Sequence, residues 1–107
     1  MKAEQFSKGV LELDPLIRFA GVMEKSGHLY AGSQREGTEE QLKGRNSEIS
    51  YAQSAYIVDL RKMFVPELGK LNSVAYMYDK VKLFNFPVKD HLLVISTEPG
   101  VKVDELS

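Results

Sequence analysis

Two histidines, five tyrosines and no cysteine set narrow limits on the chemistry this chain can do. His28 and His91 lack cysteine or paired acidic neighbours at metal-ligand spacing, and a zinc site needs three or four converging ligands. Both read as solvated strand ends, so no metal or other cofactor is expected. Asp59, Asp79 and Asp90 fall in turns or on a helix face, with no pair that reads as general acid and base. Neither a Ser-His-Asp arrangement nor a nucleophile elbow is legible, so no catalytic residue and no enzymatic activity are expected. The segment GSQREG, residues 32–37, carries Arg35 between glycines, but it follows a strand without opening directly into a helix, as a phosphate cradle does. It reads as a loop. The constellation that keeps chemical interest is Arg18, Tyr30 and Arg35 near a hairpin, with Tyr76 and Tyr78 on a later strand. Arginine and tyrosine together suit an anionic or planar ligand through forked hydrogen bonds and stacking. The plainer alternative is that tyrosines at strand spacing are packing residues.

The elements that would position these residues are organised around VAYMYDKVKLFNFPVKDHLLVIST, residues 74–97. Val74, Tyr76 and Tyr78 alternate with Ala75 and Met77, the period-two pattern of a strand. Asp79-Lys80 supplies a turn. The run 81–88 sets Phe84, Phe86 and Val88 on one face and Val81 and Leu83 on the other, and Pro87 marks its end. Lys89-Asp90 makes the next turn. Residues 92–95 are apolar on both faces, which predicts cover on both faces and helices on either side of an antiparallel sheet. Pro99-Gly100 stops this strand.

Upstream, Ala3, Phe6, Val10 and Leu13 at helical spacing predict a short amphipathic helix over residues 2–13, closed by Asp14-Pro15. Residues 17–23 alternate Ile17, Phe19, Gly21 and Met23 against Arg18, Ala20 and Val22. A loop of residues 24–27, with Gly27 suited to positive φ, leads into a return strand over 28–33. The polar segment 34–48 holds a candidate helical turn at residues 38–43, capped by Thr38 with Gln41 in the capping-box position. A long helix is predicted over residues 47–64, with Ile49, Ala52, Tyr56, Leu60 and Met63 as the stripe that meets the sheet, ended by Pro66 and Gly69. Tyr51, Ala55 and Val58 form a second stripe on the side away from it. The tail begins a short helix at Asp104. Joining the last strand beside the first gives sheet order 2-1-5-4-3, with the strand of residues 71–78 at an edge.

The 107 residues make one domain, spanning residues 1–107. With 27% charged and 43% hydrophobic residues, the composition is that of a soluble globular protein. Fourteen basic and 15 acidic residues give a net charge of −1, which gives no bulk attraction to nucleic acid or anionic membrane. No run approaches the roughly 20 apolar residues of a membrane span. MKAEQFSKG lacks a signal peptide's apolar core, and cytoplasmic is the expected location. The absence of cysteine excludes disulfides and leaves the redox compartment open.

This order of elements resembles the profilin-like folds and, within them, the roadblock/LC7 domains. More closely, RFAGVMEKSGHLYAG, the helix start Ser50-Tyr51-Ala52-Gln53, and YDKVKLFNFPVKDHLLVISTEPG resemble an uncharacterised family of small archaeal proteins, over residues 13–100. The resemblance implies an α/β/α sandwich and a further C-terminal helix, most of which this chain lacks. The roadblock likeness implies a non-catalytic regulatory or scaffolding module. Two copies would pair through the edge strand and long helix and display a composite surface to a partner such as a small GTPase. The expected interface is Tyr51, Ala55 and Val58 of the second stripe with Val74 and Tyr76 of the edge, because an apolar stripe on an exposed side is what an interface needs. The related PAS and Cache sensor domains imply an alternative. It is a small-molecule pocket between the sheet and residues 34–48, drawing on Arg18, Tyr30, Arg35 and Tyr78.

Overall fold

A computed structural model describes residues 3–39 and 42–102. Five antiparallel strands form one sheet in the order β2-β1-β5-β4-β3, as the sequence predicts. The strands are β1 (Ile17–Glu24), β2 (Leu29–Gln34), β3 (Val74–Met77), β4 (Lys82–Val88) and β5 (His91–Thr97). Helix α1 (Ala3–Leu11) lies on one face and α2 (Arg45–Arg61) on the other, so the central strand β5 is covered on both sides. A 3₁₀ turn (Lys62–Phe64) and a short α3 (Val65–Leu68) carry the chain from α2 towards β3. The helical path therefore runs beyond Pro66, which sits in the first turn of α3, where a missing amide hydrogen costs nothing. Gly69, at φ 84°, ends it.

Two apolar clusters follow from strand alternation. Ile17, Ala20, Phe84 and Ile95 meet Val10 of α1 and Val101. Met23, Leu92 and Val94 meet Ala55 and Val58 of α2, with Tyr51, Leu71 and Val74 packed at the margin. Phe84 and Phe86 share the α1 side, as their spacing predicts. Pro87 does not end β4. It pairs with Leu92 one residue before the strand's last, Val88, and the turn follows at Lys89, whose φ is 54°.

In β1 the simple alternation fails for a definite reason. A bulge between Ile17 and Phe19 leaves Arg18 unpaired against β5, where Ile17 faces Thr97 and Phe19 faces Ser96. The extra residue shifts the phase. Ile17 joins Ala20 in the α1-side cluster while Met23 joins the α2-side cluster, so the predicted grouping of Ile17 with Met23 is corrected. Phe19 thereby turns to the α2 side. Thr38 caps no helix among the described residues; its hydroxyl donates to the Arg35 carbonyl at 2.6 Å and closes a turn. Gln41 of the predicted capping box and the predicted tail helix from Asp104 lie outside the described residues.

Candidate pocket and exposed helix face

Helix α2 is apolar on two opposite faces, and packing selects between them. Ala55 and Val58 are buried against Met23, Leu92 and Val94, and Tyr51 is half-buried beside them. Ile49, Tyr56, Leu60 and Met63 are exposed, Tyr56 and Met63 by 65% and 70%. The predicted assignment of faces is thus reversed. Ala55 and Val58 have short side chains that let the helix backbone approach the sheet, so this narrow stripe docks and the bulkier one is left outside. Tyr51, Ala55 and Val58 are the helix's contact with its own sheet, so the expectation that this stripe lies on an exposed side is corrected.

Strand β3 is the sheet edge, hydrogen-bonded only to β4 among the described residues. Val74 and Tyr76 are half-buried on the α2 side, while Ala75 and Met77 are exposed on the other. The Tyr76 hydroxyl is buried without a hydrogen-bond partner among the described residues.

The four residues expected to line a ligand pocket, Arg18, Tyr30, Arg35 and Tyr78, do not all converge. Arg35 is structural. Its Nε donates to the Ile17 carbonyl at 2.6 Å, and its Nη2 donates to the carbonyls of Leu11 and Asp14. One guanidinium fork thereby satisfies three carbonyls where α1 turns into β1, away from the residues that line the cavity below. Tyr30 lies elsewhere, its ring 5.9 Å from that of His91. It belongs to the shallow α1-side depression with Val22 and Leu93. His28 and His91 are both exposed, and among the described residues no three His, Asp or Glu side chains gather as metal ligands. Gly32 of the glycine-flanked segment lies inside β2. A Cβ there would meet the Phe19 ring at 2.7 Å, and one on Gly21 opposite would meet it at 2.8 Å. Those glycines make room for an aromatic ring.

Arg18 and Tyr78 do share a cavity of about 580 Å³ between the sheet and the N-terminal half of α2. Phe19, Leu83, Asn85, Val94 and Ser96 form its sheet side, and Ser47, Ser50, Tyr51 and Ser54 its helix side. The cavity exists because serines face the sheet here, where Ala55 and Val58 fill the space one turn on. Tyr78 and the β3–β4 turn flank it, Tyr78 being 62% exposed. Arg18 at its rim pairs with Glu98 at 2.5 Å and donates to the Glu39 carbonyl at 2.6 Å. Asn85 is 1% exposed, and its amide nitrogen has no partner among the described residues. The sequence signal for it was present but weak: a polar residue between Phe84 and Phe86, on the opposite strand face.

No described helix is long and apolar enough to cross a membrane. No curated protein matches the chain in sequence. Solved structures match it closely in fold. A roadblock/LC7 domain from Streptomyces avermitilis superposes with a TM-score of 0.75 at 13% identity, covering 99% of this chain and 86% of that one. An MglB protein in a tetrameric arrangement gives 0.80 at 12% identity, covering 97% and 76%. Schizosaccharomyces pombe profilin gives 0.67 at 13% identity, covering 98% and 87%. The fold is therefore profilin-like, of the roadblock/LC7 type. A family model described as a family of unknown function (DUF6659) matches residues 2–107, and the chain belongs to that family.

Proposed function

We propose that the chain is a non-catalytic regulatory or scaffolding module of the cytoplasm that works as a homodimer and offers a composite surface to a protein partner. The observation that carries this reading is the outward stripe of Ile49, Tyr56 and Leu60 on α2, continued by Met63 of the 3₁₀ turn, on a helix whose other face is already spent on the sheet. A monomer gains nothing from large apolar side chains set at helical spacing in water. The same α2-side cluster reaches Leu71 and Val74, so the stripe and the open β3 edge belong to one half of the molecule. Two copies related by a two-fold axis would pair β3 with β3 and stack the α2 stripes, satisfying the free strand edge and covering the apolar face together. Val74 and Tyr76 enter this interface through the strand backbone.

The likeness to MglB in a tetrameric arrangement supports self-association. The roadblock likeness makes a small GTPase the partner to test first. The experiment is light scattering across a concentration series on the wild-type chain and on Tyr56→Glu/Leu60→Glu. A wild-type dimer and a folded monomeric variant are expected.

A further inference from the structure

We infer that the cavity between α2 and the sheet is a binding site for an uncharged, planar small molecule bearing a carbonyl acceptor, of the lactam or aromatic carboxamide class. The inference goes beyond the dimer reading and is independent of it, because the cavity lies on the sheet-facing side of α2 and the exposed stripe on the other.

Three observations point to that class. First, Asn85 is almost wholly buried, lines the cavity, and holds an amide nitrogen without a partner among the described residues. A buried donor left unpaired costs about 1–3 kcal/mol, and a ligand oxygen placed against it recovers that cost. Second, aromatic surface surrounds this donor: Phe19 on the sheet, set there by the β1 bulge and the two glycines under its ring, with Tyr51 and Tyr78 opposite and at the mouth. Flat apolar rings favour a flat ligand. Third, the strands and helix that line the cavity offer mostly uncharged polar groups, Asn85 with Ser47, Ser50, Ser54 and Ser96, while Glu39, Asp79 and Lys80 enter the lining from loops. The one charged group on a lining strand, the Arg18 guanidinium, is engaged by Glu98 and by the Glu39 carbonyl. A charged ligand held against Asn85 would give up hydration with no unengaged counter-ion on the strands or helix of the lining. The volume of about 580 Å³ is that of a small-molecule site, mostly apolar with a few placed polar groups.

The test is an NMR titration of the ¹⁵N-labelled full chain with nicotinamide and with uracil, each to millimolar concentration, and with benzoate as the charged counterpart. The expected result is a saturable shift of the Asn85 side-chain amide and of the Val94 and Ser96 backbone amides with nicotinamide or uracil. Benzoate should bind at least tenfold more weakly. Asn85→Leu should weaken binding by about tenfold, the loss of one buried hydrogen bond at about 1.4 kcal/mol. Ser54→Leu, which fills the cavity from the half-buried helix face without removing a buried group, should abolish it and serves if Asn85→Leu fails to fold. No shift of these three residues with either neutral probe would overturn the inference, as would shifts that persist unchanged in Ser54→Leu. Equal binding of benzoate would overturn the assignment of the ligand class. Loss of the dimer by Tyr56→Glu/Leu60→Glu would leave the titration unchanged, so the two readings fail separately.

Discussion

A Cβ placed on Gly27 would stand 2.8 Å from the Cα of Ala52, closer than real side chains come to backbone. The β1–β2 turn thus closes directly onto the middle of α2, with Gly27 at φ 93°. This contact holds the helix against the hairpin at the point where its sheet-facing residues change from serine to Ala55 and Val58.

Gly27→Ala combines a left-handed backbone angle with a backbone contact that cannot yield. It should cost at least about 2 kcal/mol, read as a lower urea midpoint at unchanged slope. Gly37→Ala is the matched control, since its φ of 82° carries the same strain with nothing within 4 Å. It should cost only about 1 kcal/mol. Equal losses would mean that the Gly27–Ala52 approach does not constrain the fold.

Arg35 is the second test. Removing a guanidinium that serves the carbonyls of Ile17, Leu11 and Asp14 should lower stability by about 2–3 kcal/mol in Arg35→Ala. Arg35→Lys should recover only part, because a single ammonium cannot reproduce the planar fork. Stability equal to wild type in Arg35→Ala would contradict the assignment of a structural role.

The two faces of α2 give a third contrast. Val58→Asp buries an unpaired charge against Met23 and Val94 and should abolish folding, seen as loss of the near-ultraviolet and far-ultraviolet circular dichroism. Tyr56→Glu lies on the exposed face and should leave both spectra intact. Two folded variants, or two unfolded ones, would contradict the reversed faces.

This reversal shows where the sequence stops being informative. Period alone located both stripes of α2, since steps of three and four residues bring side chains to one face whatever that face meets. It could not say which stripe meets the sheet, and the larger, more hydrophobic one was the natural choice. Close packing favoured small side chains instead, and Ala55 and Val58 docked. The sheet order was legible because it depends on turns and strand lengths: Gly27, Lys89-Asp90 and the two-sided apolar run of β5 each left a local mark. The bulge at Arg18 left none, and with it went the true side of Ile17, which parts from Phe19 and Met23. The cavity was half legible. It lies against α2 and meets the 34–48 segment only at Gln34, Glu39, Leu42 and Ser47, and of the four expected pocket residues Arg18 and Tyr78 line it. Arg35 and Tyr30 stand outside it, and spacing does not announce this, because a guanidinium fork fits backbone carbonyls as well as it fits an anion. Asn85 was missed because one polar residue in an apolar strand does not reveal whether its partners are present.

The dimer is the central claim, and light scattering across a concentration series tests it most directly. The wild-type chain should remain a dimer at low micromolar concentration, and Tyr56→Glu/Leu60→Glu should be a monomer with an unchanged circular dichroism spectrum. A wild-type monomer throughout the series, or a dimer that the double substitution leaves intact, would contradict it.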